Sequence, residues 1–384
     1  MKENDLCCGC SACIDTCPVN ALKMIQSERG FYVPALIHEK CIECKLCEKV
    51  CPINNKQWIN HKEPLRAYAF QNKCDDVLVN SSSGGVFNLL AKYILNKNGI
   101  VYGCAWINKD KAAHVRVDNK EDLINLQKSK YVQSYVDGIF KQIKNDLDLG
   151  KLVLFSGTPC QAAGLINFLK KPYDSLFIVD FICHGVPSQK VLAKYVRFLG
   201  QKHKREVSNL DFRTKVNGWD KLTVEVNYSD SSNENILASE DPYYKSFLLN
   251  LSISKSCANC DYNRLPRHSD ITLSDFWGYE LNEFNEKLNK GLSGMLCNSE
   301  KGIKLFESIK ANGVFHEVTI NDIQKGNPFI NGHSKIHRNS DKFFENLNYI
   351  DDADFEILAE KLLKPSFFEV IKEILTYKIN SIKK

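Results

Sequence analysis

Residues 7–18 read Cys7-Cys-Gly-Cys10-Ser-Ala-Cys13-Ile-Asp-Thr-Cys17-Pro, and residues 41–52 read Cys41-Ile-Glu-Cys44-Lys-Leu-Cys47-Glu-Lys-Val-Cys51-Pro. Both stretches follow the pattern C-x2-C-x2-C-x3-C-P, which gathers four cysteines into a short segment and ends on a proline. Proline has no N–H and a fixed φ angle, so it suits a tight loop after the last cysteine. Two complete copies of this pattern decide how the amino-terminal part of the chain folds.

The spacing is typical of bacterial ferredoxins with two 4Fe-4S clusters, in which the fourth cysteine of each run reaches across to the other cluster. It predicts two ligand sets: Cys7, Cys10, Cys13 with Cys51, and Cys41, Cys44, Cys47 with Cys17. Zinc sites show C-x2-C pairs set further apart, and disulfides need an oxidising compartment that nothing in the sequence indicates. Cys8 falls outside the pattern, and we interpret it as a packed or exposed bystander.

The composition is that of a folded globular protein. Of the 384 residues, 43% are hydrophobic and 25% are charged, and the formal net charge is +5. The positive charges are scattered, which argues against nucleic acid as a partner. The amino terminus carries no apolar signal segment, and the longest apolar run, 175–183, is broken by Asp180 and is too short to span a membrane. We therefore expect a cytoplasmic protein of an oxygen-poor setting, in which many of the sixteen cysteines are metal ligands.

Four parts can be distinguished along the chain. Residues 1–55 form the ferredoxin module, which is too small to bury a core of its own and would be held together by its clusters. Residues 56–66 are polar without periodicity and are predicted to be a linker. Residues 67–335 are predicted to form the main domain, and 336–384 a helical segment whose amphipathic stretch at 367–379 fits either oligomerisation or packing on the core.

Short apolar runs alternate with helical periodicity through the main domain. Predicted strands cover 67–70, 100–107, 112–117, 152–155 and 176–182, and predicted helices cover 81–95, 138–149, 160–170 and 188–202. Residues 206–240 are β-rich and polar. The alternation predicts an α/β or α+β fold with a partly parallel mixed sheet, whose ligand site lies at the carboxyl ends of the strands.

Four cysteines outside the module form a further candidate group. Cys257 and Cys260 make a C-x2-C pair, and Cys160 and Cys183 lie in loops with glycine and proline at the ends of neighbouring predicted strands, where functional residues gather. These four could meet and hold a third 4Fe-4S cluster. Spacing alone also allows inert buried cysteines, a redox dithiol or half of a zinc site.

Six motifs in a fixed order give the chain a resemblance to a known family. They read Ser81-Ser-Ser-Gly-Gly-Val-Phe, Ser129-Lys-Tyr-Val-Gln-Ser, Gly157-Thr-Pro-Cys-Gln, Cys183-His-Gly-Val-Pro-Ser, Ser256-Cys-Ala-Asn-Cys-Asp-Tyr and Ser269-Asp-Ile-Thr-Leu-Ser-Asp-Phe-Trp-Gly. In this order they resemble the beta subunits of hydrogenases and formate dehydrogenases that reduce the deazaflavin coenzyme, a family that also includes chlorophyll-cycle reductases. The resemblance covers nearly the whole chain and implies an FAD-bearing α/β domain with a 4Fe-4S cluster beside the flavin.

The resemblance also implies roles for the matched residues. Cys160, Cys183, Cys257 and Cys260 would ligate the third cluster, and Ser83, Gly84, Gly85, Ser129, Lys130, Tyr131, Gln133, Ser134 and Thr158 would contact the flavin. Free N–H groups at a helix start after residues 83–85 would suit a pyrophosphate, although an ordinary capped helix fits the same residues. The chain contains no G-x-G-x-x-G, so FAD binding of the usual Rossmann kind is not indicated.

Some positions depart from the family pattern or allow two interpretations. Lys128 and Ser274 stand where the family often has glycine, and the Asp-Phe-Trp-Gly sequence resembles a bacterial branch whose members need not use the deazaflavin coenzyme. His184 is a candidate proton donor, the alternative being a histidine satisfied by loop backbone. Arg213 and Lys215 could bind an anionic substrate or an FAD phosphate, or lie on a solvated strand face.

Two functions are compatible with these patterns. The first is an iron–sulfur flavoprotein reductase that passes electrons from the ferredoxin clusters through a third cluster to FAD and on to an organic acceptor. The second is an electron-transfer subunit of a larger hydrogenase- or dehydrogenase-type complex, with no substrate of its own. Both imply a redox protein such as ferredoxin as a partner, and the chain is expected to form a homo-oligomer or to join a complex.

Overall fold

The computed structural model describes residues 5–278, 284 and 289–364, and the helix predicted over 367–379 lies outside them. The strands within these residues are β1 (Leu22–Gln26), β2 (Tyr32–Leu36), β3 (Arg66–Asn72), β4 (Ile100–Asn108), β5 (Lys111–Val117), β6 (Val153–Ser156), β7 (Leu176–Phe181), β8 (Val207–Thr214), β9 (Thr223–Tyr228), β10 (Asn233–Leu237), β11 (Ile271–Asp275), β12 (Ser293–Cys297) and β13 (Gly313–Val318). The α-helices are α1 (Ala12–Asp15), α2 (Leu46–Val50), α3 (Asp75–Val79), α4 (Val86–Asn96), α5 (Leu123–Leu126), α6 (Ile139–Asp148), α7 (Pro159–Leu169), α8 (Gln189–His203), α9 (Pro242–Leu248), α10 (Glu300–Ile309), α11 (Ile320–Gly326), α12 (Ser340–Leu347) and α13 (Phe355–Leu363). In the same part of the chain, no helix is both long and apolar enough to cross a membrane.

An eight-stranded mixed sheet runs through the main domain in the order β13-β3-β12-β11-β7-β6-β4-β5. The central neighbours β11, β7, β6 and β4 are parallel. The strands outside them pair antiparallel. The crossover β6-α7-β7 is the strand–loop–helix–strand unit that the sequence pattern indicates. The partly parallel mixed sheet that we predicted is therefore confirmed.

The parallel strands are buried on both faces. Leu154 of β6 belongs to the core that contains α4 and α10, whereas its neighbours Val153 and Phe155 belong to the core that contains α6 and α7. Successive side chains of a strand point to opposite faces, so a strand covered on both sides is apolar at consecutive positions. This is why β6 reads as a continuous apolar run rather than an alternating one.

A second, three-stranded sheet in the order β10-β9-β8 is formed by the β-rich region that we predicted over 206–240. Its inward-facing residues, including Phe212 and Val224, share one core with Tyr195 of α8, Tyr243 of α9 and Phe355 of α13. This unit packs beside the large sheet and supplies one wall of the site described below.

The amino-terminal module contains the antiparallel pair β1–β2 with α1 and α2, and it contacts the main domain through Asp15. The Asp15 carboxylate accepts the N–H groups of Gly138 and Phe140, both at 2.9 Å. Asp15 therefore caps the start of α6 from a distant part of the chain, as a carboxylate at a helix N-terminus does. Burial raises the pKa of this carboxyl to about 6.

Further contacts hold the module and the residues after it against the main domain. The Gln133 side chain accepts the Tyr32 N–H at 2.6 Å, and the Tyr262 hydroxyl donates to the Pro52 carbonyl. Within the predicted linker 56–66, the Lys62 carbonyl accepts the Arg267 N–H at 2.9 Å. Because its backbone forms a hydrogen bond with the main domain, this segment lies along the surface of that domain.

The carboxyl ends of the parallel strands place three loops side by side. β6 and β7 are neighbours, so the loops that follow Ser156 and Phe181 leave the sheet at the same edge. β11 pairs with β7 and ends at Asp275 at that edge. In open α/β sheets, ligands bind in the crevice beyond this edge.

Candidate functional site

A cavity of about 510 Å³ opens at the carboxyl edge of the parallel strands. Its walls come from the start of α4, residues 126–134, the loops after β6 and β7, residues 256–263 and the end of β11. Small-molecule and cofactor sites typically enclose about 300–1,000 Å³. The cavity is therefore large enough to be the ligand site of the domain.

Four thiols form one wall of this cavity, and each lies near the other three: Cys160, Cys183, Cys257 and Cys260. Burial raises the pKa of Cys257 to about 12 and that of Cys260 to about 11, and the neighbouring thiols add to the effect. Such thiols resist ionisation in the protein alone, whereas coordination to a metal removes the proton. The chemistry and proximity of the four thiols fit a metal or cluster better than a catalytic thiolate.

Local structure fixes the position of each thiol. Cys160 is the second residue of α7, whose start carries a reciprocal capping box between Thr158 and Gln161. The Cys183 N–H donates to the Asn263 side chain at 2.9 Å. In the C-x2-C pair, Cys257 belongs to a short 3-10 helix over Lys255–Asn259, and Cys260 directly follows that helix as its C-cap.

A cluster and a single metal ion need different ligand spacings. A 4Fe-4S cluster places an iron under each thiolate, so its ligands stand further apart than the ligands of one tetrahedral zinc. Among the residues that the structure describes, no group of three or more His, Cys, Asp or Glu side chains is arranged to hold one metal ion. A cluster held by the four thiols stays a prediction.

The first predicted ligand set of the amino-terminal module is drawn together. Cys7 lies near Cys51, and Cys13 lies near both of them. Cys10 lies near Cys7 and Cys13. The fourth cysteine of the second run therefore joins the first three of the first run, as the crossed pattern requires.

In the second predicted set, Cys47 lies near Cys44, and the Cys17 sulfur accepts the Ala21 N–H at 3.2 Å. Cys13 also lies near Cys47, which connects the two sets. Cys44 is exposed whereas Cys10 is buried. Cys44 thus lies at the surface of the module, whereas Cys10 lies against Gly164 of the main domain.

The helix start predicted to bind a pyrophosphate lines the cavity, but the predicted donor Gly84 already has a partner. The Gly84 N–H donates to the Ser293 hydroxyl at 2.8 Å, and the Ser83 hydroxyl donates to the Leu292 carbonyl at 2.8 Å. These two residues are therefore tied to β12. Gly85, with φ of 77°, begins α4, and no side chain caps the helix. The N–H groups of its first turn are the donors that suit an anion.

The predicted contacts over residues 129–134 all line the cavity, but some are already engaged. Gln133 holds Tyr32 of the amino-terminal module, as described above. The Lys130 ammonium donates to the carbonyls of Asn125, Gln127 and Lys128, and burial lowers its pKa to about 8. The Ser129 hydroxyl lies 2.9 Å from that of Ser82.

His184 lines the cavity beside Cys183. Its Nε2 lies 3.2 Å from the Phe247 carbonyl, to which it donates, and its ring packs edge-on against Phe247 and Phe329. Burial lowers the pKa of this imidazole. The contact with the loop backbone fits the alternative that the sequence left open, and catalysis by His184 stays a prediction.

Comparison with known proteins identifies two regions of the chain. Residues 150–323 match the family described as the carboxyl-terminal part of the coenzyme F420 hydrogenase/dehydrogenase beta subunit, and residues 6–55 match the 4Fe-4S dicluster domain. The chain thus joins a region that matches a 4Fe-4S dicluster domain to a region that matches the beta-subunit family, and the family resemblance inferred from the motifs is confirmed.

Among solved structures, the chain is similar to part of the F420-reducing [NiFe] hydrogenase complex from Methanosarcina barkeri. The two share 16% sequence identity, with a TM-score of 0.48, over 78% of this chain and 92% of the other. No curated protein matched the sequence.

The structure accommodates both departures from the beta-subunit family pattern. Lys128 adopts a φ of 63°, in the left-handed region that glycine favours, so the backbone conformation is kept although the residue differs. Ser274 pairs with Gly294 across β11 and β12, and a Cβ on Gly294 would lie 2.4 Å from the Ser274 hydroxyl. The glycine missing from one strand is thus compensated by a glycine on its partner.

Sequence reasoning missed His114, which β5 places in the cavity wall. Its Nε2 donates to the Ser156 carbonyl at 3.0 Å, and its Nδ1 accepts the Ser134 hydroxyl at 3.1 Å. Ser134 in turn accepts the Gln161 amide at 2.9 Å. The available signal was a histidine inside an otherwise apolar predicted strand, where a buried polar group needs partners.

Arg213 lines the cavity, and neither Arg213 nor Lys215 lies on a solvated strand face, so their binding of an anion stays a prediction. Arg213 is buried and donates to Asp275 at 2.8 Å and to the Ser82 carbonyl at 2.9 Å. Lys215 donates to the carbonyls of Leu78 and Ser83. Instead of lying on a solvated strand face, both side chains hold the loop before α4 in place.

Proposed function

We propose that this chain is an iron–sulfur flavoprotein oxidoreductase. In this proposal, the ferredoxin sets deliver electrons to a third 4Fe-4S cluster held by Cys160, Cys183, Cys257 and Cys260. That cluster serves FAD in the cavity, and an organic acceptor, either the deazaflavin coenzyme or another small molecule, is reduced there. Bound FAD would supply the exchange between one-electron carriers and a two-electron acceptor.

The observation that carries this proposal is the meeting of two features in one cavity. Four mutually close thiols form one wall, and the uncapped start of α4 forms another. The first suits a cluster and the second suits the phosphates of a dinucleotide. A domain that only relayed electrons between proteins would not need a cavity of about 510 Å³ beside the thiols.

The charges around the cavity support an anionic ligand. Lys130 loses solvent on burial, so its pKa falls to about 8, and an anion beside it would restore the charged form. Lys128 and Arg213 also line the cavity, each with a carboxylate partner, Asp211 and Asp275 respectively. Lys130 has no carboxylate partner among the described residues of this wall, and a phosphate that it bound would replace one of its bonds to the carbonyls of Asn125, Gln127 and Lys128.

Iron, acid-labile sulfide and flavin measured on protein purified and reconstituted without oxygen test this proposal. About twelve irons and one FAD per chain are expected, as three 4Fe-4S clusters require. The double variant Cys257→Ser with Cys260→Ser should lose about four irons. Cys74→Ser, at an exposed cysteine outside every ligand set, is the control and should keep them all. About eight irons and no flavin in the wild-type protein would overturn the proposal.

The alternative is an electron-transfer subunit without a substrate of its own. The match to the beta-subunit family is compatible with this function as well. Reoxidation of the reduced protein distinguishes the two functions. An oxidoreductase should be reoxidised by one particular small molecule, with the deazaflavin coenzyme as the first to try. A relay subunit should be reoxidised only by redox proteins.

A further inference from the structure

Cys8, which the sequence assigned to no ligand set, stands between two of the sets. Its thiol lies against the thiols of Cys10 and Cys160. Cys10 belongs to the first set of the amino-terminal module, and Cys160 to the four-thiol wall of the cavity. Cys8 also lines the cavity itself. It is packed, as one interpretation allowed, but its two neighbours are both proposed cluster ligands.

Helix α7 brings these two ligand groups together. Cys160 and Gly164 are four residues apart and therefore share one face of the helix. A Cβ on Gly164 would lie 2.7 Å from the Cys10 sulfur, so the missing side chain is what lets the module approach. Ala163 of the same helix is fully buried in a small core with Tyr262. The short separation of the ligand groups is thus built into the packing.

We propose, on the basis of the third cluster proposed above, that Cys8 is a positioning residue that couples the first ferredoxin cluster to the third cluster. As a protonated thiol it would donate a hydrogen bond to the ligand sulfur of Cys10 or Cys160 and remain in contact with the other. Hydrogen bonds to the sulfurs are among the factors that set the potential of a cluster. A donor stabilises the more negative, reduced state, so it raises the potential of the cluster that accepts it.

Cys8 undergoes no net chemical change in this role. The clusters held by the two ligand groups would exchange one electron, and the reductant would be the redox protein that serves the module. The thiol keeps its proton and forms no bond to iron. Its effect is on the distribution of the electron between the two neighbouring clusters.

The test is a redox titration followed by electron paramagnetic resonance, with iron and sulfide measured on the same samples and dithionite as the reductant. The variants are Cys8→Ala, Cys8→Ser and the control Cys74→Ser. All should keep the wild-type iron content. In Cys8→Ala the electron distribution between the two clusters should shift about tenfold, equivalent to about 59 mV for a one-electron couple. Cys8→Ser keeps a donor, so its cluster potentials should lie close to those of the wild-type protein. The control Cys74→Ser should show no shift.

Two results would overturn the inference while leaving the proposed function intact. One is an unchanged set of potentials in Cys8→Ala at full iron content. The other is the loss of about four irons, which would make Cys8 a ligand. Cys8→Val fills the space without a donor and tests the same point if the alanine variant folds poorly. About eight irons in the wild-type protein would instead overturn the third cluster itself.

Discussion

At the scale of single residues, Asp180 and Arg267 form an ion pair whose side chains are both 0% exposed, with Oδ2 and Nη2 2.9 Å apart. The carboxylate also accepts the Thr272 hydroxyl at 2.6 Å. We predict that Arg267→Met lowers the free energy of unfolding by about 3–5 kcal/mol, because Asp180 then keeps a charge in the interior without its partner. Urea unfolding followed by circular dichroism measures the loss.

The matched control for this prediction is Arg264→Met. Arg264 lies half exposed, 3.4 Å from the Asp261 carboxylate, and a surface pair of this kind contributes at most about 1 kcal/mol. Similar losses in the two variants would contradict the assignment of the effect to the buried pair.

His114 makes stability depend on pH. Burial lowers the pKa of its imidazole to about 4, below the value of about 6.5 in an unfolded chain. The unfolded state therefore binds the proton first as the pH falls. The contribution of the neutral His114 to the free energy of unfolding is complete above about pH 6.5 and is lost progressively towards pH 4. We predict that the contribution falls by about 2 kcal/mol between pH 7 and pH 5.

The measurement compares the free energy of unfolding at the two pH values for the wild-type protein, His114→Gln and the control His38→Gln at an exposed position. The His114→Gln protein should show the shallower pH dependence, since the titrating group is gone. A slope equal to that of the wild-type protein would show that His114 is not the cause.

At the scale of elements, Gly164 of α7 sets how closely the amino-terminal module packs. Glycine to alanine in a helix normally stabilises by about 0.5–1 kcal/mol. Here the new Cβ would lie 2.7 Å from the Cys10 sulfur and 2.9 Å from its Cβ, so we predict the opposite sign for Gly164→Ala. The melting temperature should fall, and the iron of the module should be lost faster to a chelator.

Gly200→Ala in α8 is the control for this prediction, because its Cβ would meet only the Arg205 carbonyl oxygen, at 3.2 Å. That variant should retain iron at the wild-type rate. Equal loss of iron from the two variants would show that the contact with Cys10 is not the reason.

The elements themselves follow largely from local sequence. The apolar run of β6 and the helical periodicity over 160–170 are short-range signals, and they predicted the strand–helix unit that positions Cys160. The bonds at the start of α4 are different. Gly84 donates to Ser293, which is 209 residues away in the chain. No periodicity records such a pairing, so the sequence identified the helix but misplaced its free donors.

At the scale of the whole molecule, the sequence predicted the parts better than their contacts. The crossed cysteine runs and the mixed sheet come from spacing and alternation. The contacts of Gln133 with Tyr32 and of Cys8 with Cys160 depend on how the module docks, which is decided by surfaces far apart in the chain. A family motif also marks a residue without saying whether it serves the ligand or the packing, and Gln133 is such a case.

The extent of this docking predicts that the main domain is not independent. Residues 56–384 expressed alone would lose the Asp15 cap of α6 and expose the face of α7 around Gly164. We predict a lower melting temperature than that of the full chain and a tendency to aggregate, measurable by light scattering during a thermal ramp. A truncated protein as stable as the full chain would contradict this.

Asp15 connects the order of the amino-terminal module to that of the main domain. It lies between the proposed ligands Cys13 and Cys17, yet the N–H groups that it accepts belong to the start of α6. Because a module of this size is expected to depend on its clusters for order, we predict that α6 lacks this cap until the clusters are inserted. Cluster insertion would then be a maturation step for the main domain as well as for the module. Under iron limitation, newly made chains should accumulate as incompletely folded substrates for proteolysis rather than as intact domains that await their cofactors.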